Sequence, residues 1–519
     1  MFADLRRVAY FSLGIREYLR ADLSDEALAA RLQHDLATRG ERLLTLLDAV
    51  VFGRPSSPYL VLLRWAGVER GDLAALVHDL GVEGALARLR DAGVYVTADE
   101  LKGRAPVVRG SLSLDVRAED FDNPLGPRGL SSTTGGTSGE PLRVGLSITD
   151  LAEDIAYVRP WLAGEGLIGS PLVLWRSVPP GRSGTRNAFR ALRSGLVLDS
   201  WWSPTPVGLR ESPRDRLALD VARAVARAHG ARLPAPRYAP LHDPSAVLTT
   251  LARLAAAGRR PVLDATAGAA VRLCALARGR GIPLHGTVVR TGGEPLTVAK
   301  AEVIRATGAE PACHYQANEI GRIGVACSTP EAPDDVHIAS GRVAVVERAM
   351  DDEPARLLLT CFSPSSQRVM LNADIGDTAV LVRRSCGCPL GDAGLHLHAH
   401  TIRAVAKLTA GGVSILHSEL LELVERRLPA RFGGGPSDYQ LVETEEQGIP
   451  RVEVVVSPRL GSIVDADVVE VVLAAVAEGP TWRAMVAGWW QDGETVRVVR
   501  REPVPTRSGK ILAFRRLAS

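Results

Sequence analysis

The spacing of hydrophobic residues divides the chain into a helical start, a long alternation of strands and helices, and a short final section. In residues 1–105, segments such as LSDEALAARLQHDLATRGERLLTLLDAVV place apolar side chains three and four positions apart, which is typical of amphipathic helices. Ser24 precedes these helical turns and is a candidate N-cap. We therefore predict that residues 1–105 form a helical region that packs on the next domain or belongs to it.

From about residue 106, short apolar runs alternate with helical patterns. The runs SPLVLWRSV, LVLDSWW, RRPVLDAT and HGTVVRTGG predict strands, and helices are predicted between them, two of them near 213–230 and 244–258. This alternation is typical of an α/β domain with a largely parallel sheet. Strand-like runs become denser between 335 and 400, which predicts an antiparallel or barrel-like part of the same domain.

The final section has the pattern of a small α+β unit. SELLELVERRL predicts a helix, and the Gly-rich break RFGGGPSD follows it. YQLVETEE and RVEVVVSP then predict two strands, DADVVEVVLAAVAE a helix, and ETVRVVRRE a last strand. We predict an α/β fold class with a large core domain over 106–404 and a small C-terminal α+β lid domain over 405–519.

Composition excludes several classes of protein. The 519 residues include 62 Lys+Arg and 59 Asp+Glu, and this near balance does not indicate a nucleic-acid partner. Six cysteines are too few for a disulfide scaffold and favour a reducing compartment. The sequence has no apolar run near the roughly 18 residues that a membrane helix needs, and its first residues lack the order of a secretory signal. We expect a cytoplasmic protein with no membrane partner.

Lysine is rare in this chain and arginine is common. The only lysines are Lys102, Lys300, Lys407 and Lys510, and every other Lys+Arg residue is arginine. Because the chain uses arginine for general positive charge, a lysine is a stronger candidate here for a task that needs a compact ammonium group.

Two loops carry the residue types of a phosphate site. SSTTGGTSGEP, residues 131–141, offers backbone N–H groups and hydroxyls without bulky side chains, although this composition suits a flexible linker equally well. PTRSGK, residues 505–510, ends in Lys510 after the last predicted strand. A lysine on a mobile domain can reach a carboxylate and a phosphate together, while the alternative is a solvated tail residue.

Together with three further segments in the same order, these loops resemble the adenylate-forming superfamily of acyl-CoA synthetases, luciferases and nonribosomal-peptide adenylation domains. The phenylacetate–CoA ligase branch is the most similar. The other segments are RTGGEPLT (290–297), HYQANEIG (314–321) and NADIGDTAVL (372–381). The resemblance runs from about residue 130 to the last residues, and no motif matches in the first 100.

The resemblance implies a role for each matching residue. Tyr315 would stack near adenine, Asp377 and Arg403 would bind the ribose, Glu319 would coordinate Mg²⁺, and Lys510 would be the catalytic lysine. The implied ATP- or AMP-binding residues are Thr134, Gly135, Gly136, Thr137, Ser138, Gly139, Gly293, Glu294, Pro295, Tyr315, Asp377 and Arg403.

This sequence departs from the family pattern in three places. Glu140 stands where the phosphate loop often has lysine, which removes a positive charge near the phosphates. Gln316 and Asn318 replace the usual Gly and Thr beside Tyr315. The expected hinge residue after Arg403 is missing, unless Lys407 serves as the hinge.

A cysteine and histidine group is a candidate metal site. Cys327, His337, Cys386 and Cys388 supply four ligands suited to tetrahedral Zn²⁺, and the phenylacetate-ligase branch has a similar structural zinc arrangement. Four protein ligands leave no open position, so the ion would be structural. His396, His398 and His400 are rival ligands, and the alternative is reduced cysteines without metal. Cys274, Cys313 and Cys361 are predicted core thiols, and Cys313 alternatively lines the nucleotide site.

The implied activity is that of an acid–thiol ligase. It would use ATP and Mg²⁺ to convert a carboxylic acid into an acyl-adenylate with release of pyrophosphate. It would then transfer the acyl group to coenzyme A or an acyl carrier protein. The branch favours aromatic acids, so Trp201, Trp202 and His314 are candidate pocket residues; ordinary packing is the alternative for the tryptophan pair. An amine or other non-thiol acceptor, an unusual acid, and a degenerate nucleotide-binding protein remain open, and a homodimer is among the expected assemblies.

Overall fold

We describe a computed structural model of the chain. The described residues are 14–126, 131–134, 142–145, 148–178, 183–204, 213–350, 354–404, 407–410, 413–416, 420, 422–435, 438–478, 481–504 and 513–516. Within these residues, no helix is long and apolar enough to cross a membrane.

Helices occupy the N-terminal region and alternate with strands through the large domain. The α-helices are α1 Asp25–Ala37, α2 Arg39–Leu47, α3 Pro58–Trp65, α4 Arg70–Asp91, α5 Ala98–Leu101, α6 Ile148–Gly164, α7 Ser183–Ser194, α8 Pro213–Ala228, α9 Ser245–Ala256, α10 Ala267–Gly279, α11 Val298–Arg305, α12 Pro389–Asp392, α13 Leu428–Phe432, α14 Asp465–Ala477 and α15 Thr481–Asp492. Asp48–Phe52 and Leu423–Arg427 are π-helical turns.

Strands begin after the N-terminal helices. They are β1 Val107–Arg109, β2 Leu112–Leu114, β3 Ser131–Thr134, β4 Leu142–Gly145, β5 Pro171–Trp175, β6 Val197–Ser203, β7 Pro236–Tyr238, β8 Val262–Ala265, β9 Val288–Thr291, β10 Glu310–Cys313, β11 Tyr315–Ala317, β12 Gly321–Ala326, β13 Val336–Ile338, β14 Val343–Arg348, β15 Arg356–Cys361, β16 Ala373–Asp374, β17 Asp377–Arg383, β18 Leu397–Ala404, β19 Lys407–Ala410, β20 Val413–Leu416, β21 Tyr439–Glu446, β22 Ile449–Val456, β23 Val496–Arg500 and β24 Phe514–Arg516.

A six-stranded parallel sheet forms the centre of the large domain. Its strand order is β10-β9-β8-β5-β6-β7, and every neighbouring pair is parallel. Strands β5 and β8 are buried along their whole length, as expected of a sheet covered by helices on both faces. The predicted α/β fold class with a largely parallel sheet is confirmed.

The N-terminal helices share a hydrophobic core with the large domain. Leu43 and Leu63 belong to the same buried cluster as Leu248 on α9 and Leu358 on β15. Ile15 and Leu32 join a second cluster with Leu174 on β5. The helical region therefore contributes to the core of the large domain on both sides of the parallel sheet.

Two antiparallel sheets follow the parallel one. The first has the order β11-β12-β13-β18-β17, and the second has the order β14-β15-β16. This agrees with the antiparallel segment predicted over 335–400. Strand β11 begins two residues after β10 ends, so the chain passes directly from the parallel sheet into the antiparallel one.

The small C-terminal domain has its own core and a mixed sheet of order β23-β22-β21-β24. Helix α15 was not expected from the sequence, which predicted a single helix between β22 and β23. Val486 and Trp490 lie four positions apart on α15 and are both buried in this core. That helical spacing was present in the sequence, but the Gly and Trp residues around it masked the pattern.

Buried ion pairs tie the helices to the sheets. Asp154 on α6 is paired with Arg190 on α7 and with Arg322 on β12, and all three side chains are almost completely buried. The two guanidinium groups keep the pKa of Asp154 below its usual range despite a burial effect that acts in the opposite direction. This carboxylate therefore stays charged and joins two helices to the antiparallel sheet.

We predict that Asp154→Asn lowers the free energy of unfolding of the large domain by about 3–5 kcal/mol, because it leaves two buried cations without their shared anion. Asp199→Asn, which removes the partner of the exposed Arg253, is the control and should cost at most about 1 kcal/mol. Denaturant unfolding measures both effects. Equal stability of the two variants would contradict this prediction.

Candidate active site

A pocket lies at the carboxyl ends of β9 and β10, where the parallel sheet meets the antiparallel one. Its empty space is about 540 Å³ when the open solvent at its mouth is included. The residues that line it are Gly293, Glu294, Pro295, Leu296, Cys313, His314, Tyr315, Gln316, Asp334, Asp377, Ile402 and Ala404. Five stretches of the sequence therefore meet at this pocket: 293–296, 313–316, 334, 377 and 402–404.

The loop after β9 forms one wall. A Cβ atom at Gly292 would lie 2.8 Å from the carbonyl oxygen of His314, so only glycine allows this approach between the ends of β9 and β10. Gly293 follows with φ 84°, which also favours glycine. The Nη1 of Arg176 donates to the Gly292 carbonyl at 2.8 Å and holds the loop from below.

Glu294 points its carboxylate at the start of α10. Its Oε2 accepts a hydrogen bond of 2.6 Å from the backbone N–H of Gly268, in the first turn of that helix. The helix dipole favours a negative charge at this end. The pocket loop is thus attached to α10 by a charge-assisted hydrogen bond.

A hydrogen bond between the side chains of Tyr315 and Asp377 joins two of these stretches. The Tyr315 hydroxyl, at the start of β11, donates to Asp377 Oδ2 at 2.8 Å at the start of β17. Burial raises the pKa of Tyr315 well above its usual value, and the negative charge of Asp377 adds to this effect. The hydroxyl therefore stays protonated and remains a donor.

His314 is held in one tautomer at the floor of the pocket. A guanidinium group can only donate, so Arg322 Nη1, 2.9 Å from His314 Nδ1, places the imidazole proton on Nε2. Burial and the charge of Arg322 lower the pKa of His314 well below its usual value, so the ring is neutral. Trp161 packs edge-on against the ring, with 4.9 Å between the ring centroids.

A second shared carboxylate lies beneath the loop after β9. Asp264 on β8 accepts hydrogen bonds from Arg176 Nε at 2.7 Å and from Arg290 Nε at 2.8 Å, and all three residues are buried. This shared carboxylate fixes the guanidinium groups of Arg176 and Arg290 beneath the loop.

The remaining predicted site residues lie around this pocket or outside the described residues. Glu319 lies in the turn after β11, close enough for its charge to contribute to the raised pKa of Tyr315. Arg403 lies on β18 between two residues that line the pocket, and its Nη1 donates to Asp334 Oδ2 at 2.7 Å. Thr134 ends β3, which pairs antiparallel with β4. Residues 135–140 and Lys510 are outside the described residues.

Trp201 and Trp202 are not among the residues that line this pocket, and their place in an acyl pocket stays a prediction. Trp201 and Trp202 are adjacent on β6, so their side chains point to opposite faces of the sheet. Trp201 belongs to one hydrophobic core cluster and Trp202 to the other. Cys274 and Cys361 are buried core thiols, as predicted, while Cys313 is buried and also lines the pocket.

A group of cysteine and histidine side chains lies apart from the pocket. The candidate ligand atoms of Cys327, His337, Cys386 and His398 all lie within 4.8 Å of one another. The Sγ of Cys388 lies 3.1 Å from His337 Nε2 and 3.3 Å from Cys386 Sγ. The four residues predicted from the sequence are thus close together, and His398 is a fifth candidate ligand.

Both histidines of this group are oriented as metal ligands usually are. His337 Nδ1 lies 2.6 Å from the Leu395 carbonyl, and His398 Nδ1 lies 2.8 Å from Asp335 Oδ1, so each ring directs Nε2 to the cluster. His398 Nε2 is buried without a hydrogen-bond partner among the described residues. Thiolates and oriented imidazoles fit a metal ion such as Zn²⁺. His396 is exposed and His400 is partly buried, so the three alternating histidines differ in environment.

Comparisons with known proteins agree with this architecture. Neither a scan of protein-family models nor a search of curated proteins finds a match to the sequence. Among solved structures, a 2-hydroxyisobutyryl-CoA ligase in complex with its acyl-AMP and CoA matches with a TM-score of 0.51 and 16% identity, over 96% of this chain and 91% of that one. An o-succinylbenzoate CoA synthetase from Bacillus subtilis matches with a TM-score of 0.39 and 13% identity, over 82% and 79%. The chain has the fold of adenylate-forming enzymes, with a large N-terminal and a small C-terminal domain.

A contact from the C-terminal domain reaches the pocket loop. Glu445, at the end of β21, accepts a hydrogen bond from Thr297 Oγ1 and lies 3.5 Å from the ammonium of Lys300. Lys300 is buried and also donates to the carbonyl of Pro295, in the pocket loop, at 3.0 Å. One of the four lysines in the chain therefore links the pocket wall to the small domain.

We predict that Glu445→Gln lowers stability by roughly 1.5 kcal/mol, because Lys300 loses its charged partner while remaining buried. Glu446→Gln is the matched control, since the neighbouring Glu446 is exposed and its pairing with Arg497 should contribute less than about 1 kcal/mol. Thermal unfolding of the full chain compares the two variants. An equal midpoint for wild type and Glu445→Gln would refute the contribution of this contact.

We predict that Cys386→Ser releases a bound metal ion, because Cys386 belongs to both candidate ligand sets. Elemental analysis of purified protein measures the metal content, and Cys274→Ser, which changes a buried thiol outside the cluster, should leave that content unchanged. Identical metal content in Cys386→Ser and wild type would show that Cys386 is not a ligand. The same assay on Cys388→Ser and His398→Ala identifies the fourth ligand, because replacement of a non-ligand leaves the metal in place.

Proposed function

We propose that the chain is an AMP-forming acid–thiol ligase, which activates a carboxylic acid as an acyl-adenylate and transfers the acyl group to a thiol. The observation that carries the proposal is the meeting of three segments at one pocket: the Gly293–Pro295 loop, Tyr315 and Asp377. These segments resemble motifs of the adenylate-forming superfamily, and the fold supports the same class of enzyme. Coenzyme A and an acyl carrier protein are the proposed acceptors.

The proposed first step forms the acyl-adenylate. A carboxylate oxygen of the substrate attacks the α-phosphorus of ATP, and pyrophosphate leaves. In this arrangement Tyr315 lies against adenine, while Asp377 and Arg403 bind the ribose and fix the position of the α-phosphate. Glu319 is the proposed ligand of the Mg²⁺ that neutralises the phosphates, and Lys510 the proposed cation between the carboxylate and the α-phosphate.

The second step transfers the acyl group. A thiolate attacks the acyl carbonyl carbon, the bond to the adenylate oxygen breaks, and AMP leaves. We propose that the C-terminal domain moves between the two steps and withdraws Lys510. The contact of Glu445 with Lys300 supports such a role, because it makes the pocket loop sensitive to the position of that domain.

We also propose that the cysteine and histidine cluster holds a structural Zn²⁺. The ion would join the loop after β12 to the turn between β17 and β18, and its role would be to keep these parts of the antiparallel sheet in register. The unpaired Nε2 of His398 and the close thiols support this proposal.

None of the six cysteines forms a disulfide bond, which is consistent with a reducing compartment such as the cytoplasm.

The decisive experiment is ATP–pyrophosphate exchange without an acceptor, across a panel of carboxylic acids. The panel includes aromatic acids, as the resemblance to phenylacetate–CoA ligases suggests, and short branched hydroxy acids, as the 2-hydroxyisobutyryl-CoA ligase neighbour suggests. We expect exchange with one subset of acids, followed by AMP release when coenzyme A is added. Binding of ATP without exchange for any acid would favour a nucleotide-binding protein without turnover.

We predict that Tyr315→Phe raises the KM for ATP about tenfold, which corresponds to about 1.4 kcal/mol. The phenyl ring keeps the surface against adenine, while Asp377 loses the hydroxyl donor that orients it. Tyr18→Phe is the matched control, because its buried hydroxyl donates to the Phe189 carbonyl within the core. An unchanged KM in Tyr315→Phe would mean that this hydrogen bond does not orient Asp377 for the nucleotide.

A further inference from the structure

Asp334 is a buried carboxylate in the pocket wall that no motif of the sequence indicates. It lies two residues before β13 and is 2% exposed. Oδ1 accepts a hydrogen bond of 2.9 Å from the backbone N–H of Thr401. Oδ2 accepts one of 2.8 Å from the N–H of Ile402 and one of 2.7 Å from Arg403 Nη1. Three consecutive residues of β18, Thr401, Ile402 and Arg403, therefore donate hydrogen bonds to one carboxylate.

Two of these residues, Thr401 and Ile402, interrupt the regular pairing of β18 with β17. Thr378 is opposite Arg403 and Val380 is opposite His400, so two residues of β18 face one residue of β17. This is a β-bulge, which frees backbone N–H groups from the ladder and turns the following side chains. Thr401 and Ile402 are the two bulged residues of β18. Their backbone N–H groups are the ones that donate hydrogen bonds to Asp334.

The bulge is strained. Thr401 has φ 54°, in the left-handed region, which a β-branched residue rarely adopts. Such a conformation persists only where the surrounding structure enforces it, and it occurs often at functional sites. The carboxylate of Asp334 provides that enforcement here, because it is the acceptor for the strained N–H group.

The bulge also determines what β18 presents to the pocket. Ile402 and Ala404, on either side of Arg403, line the pocket, and Arg403 is held by Asp334 and by a 2.8 Å hydrogen bond to the Ile402 carbonyl. The orientation of Arg403 thus depends on a residue about seventy positions earlier in the sequence. Without the bulge, the alternation of β18 would turn Ile402 and Ala404 away from the pocket.

We propose that Asp334 is a positioning residue, which holds the bulge at Thr401 and directs Arg403 at the ribose of the nucleotide. This inference rests on the proposed function, in which Arg403 is a ribose contact. Asp334 acts through Arg403 and the bulge, so the proposal predicts an effect on nucleotide affinity that a loss of stability alone does not produce.

The experiment measures AMP and ATP affinity by calorimetry, and thermal stability, for Asp334→Asn in the full chain. The amide removes the charge and one acceptor oxygen, so we expect affinity to fall about tenfold and the thermal midpoint to fall. Asp438→Asn is the matched control, because Asp438 accepts a backbone N–H from Gly435 and a hydrogen bond from Arg459 away from the pocket. It should leave affinity within twofold of wild type.

A second substitution separates positioning from stability. Thr401→Gly relieves the left-handed strain, so the double variant with Asp334→Asn should regain stability but not nucleotide affinity. Arg403→Ala should lower affinity alone, and adding Asp334→Asn should then cause little further loss, because both changes remove the same contact. Recovery of affinity together with stability in the Thr401→Gly double variant would overturn the positioning role.

Hydrogen exchange gives a readout that is independent of the nucleotide. Asp334→Asn should increase exchange at the Thr401 and Ile402 amides, and Asp438→Asn should not. A wild-type chain that binds neither ATP nor AMP would refute the proposed function. Even in that case, equal exchange at the Thr401 and Ile402 amides in Asp334→Asn and wild type would refute the role of Asp334 in the bulge. Normal affinity in Asp334→Asn, with a wild type that binds AMP, would refute the inference while leaving the proposed function intact.

Discussion

Two buried aspartates, each shared by two arginines, are the constraint on which the site depends. Asp154 attaches α6 to α7 and β12, and Asp264 attaches β8 to β5 and β9 through Arg176 and Arg290. The arginines that they orient reach further: Arg322 sets the tautomer of His314, and Arg176 holds the Gly292 carbonyl. The two aspartates therefore hold in place the arginines that support His314 and the loop after β9.

Arginine suits the positions beneath the pocket because each of these side chains has more than one partner. A guanidinium has several donors in a fixed plane, so one side chain can pair with a carboxylate and still donate to a carbonyl or an imidazole. Lys300 has a different task, since its compact ammonium lies between Pro295 and Glu445. The two kinds of cation thus have different structural roles. Arginines support the residues beneath the pocket, and Lys300 connects the pocket loop to the small domain.

The fold was predictable because its main signals are local. Strands and helices of the parallel sheet alternate in the sequence, and Tyr315 and Asp377 could be chosen from short segments that resemble known motifs. Helix α15 was missed although Val486 and Trp490 had helical spacing, because the Gly and Trp residues around them masked the pattern. For the tryptophan pair, the sequence shows a strand end but not which hydrophobic core each face meets.

Asp334 could not be found in the same way. Its role arises only when β18 bulges beside it, and the register of β17 and β18 is decided by pairing across the sheet rather than by neighbours in sequence. His398 was one of three alternating histidines named as rival ligands, and only the pairing of β13 with β18 shows that it is the one beside His337. A group that belongs to no recognisable motif, and whose partners lie on another strand, is therefore the kind that a single sequence conceals.

The shared core of the N-terminal helices has a consequence for synthesis of the chain. Leu43 and Leu63 belong to the same buried cluster as Leu248 and Leu358, which leave the ribosome hundreds of residues later. At roughly 5–20 residues per second, the early helices wait tens of seconds with their apolar faces uncovered. Newly made protein is therefore expected to depend on chaperones, and an N-terminal truncation would remove part of the core itself.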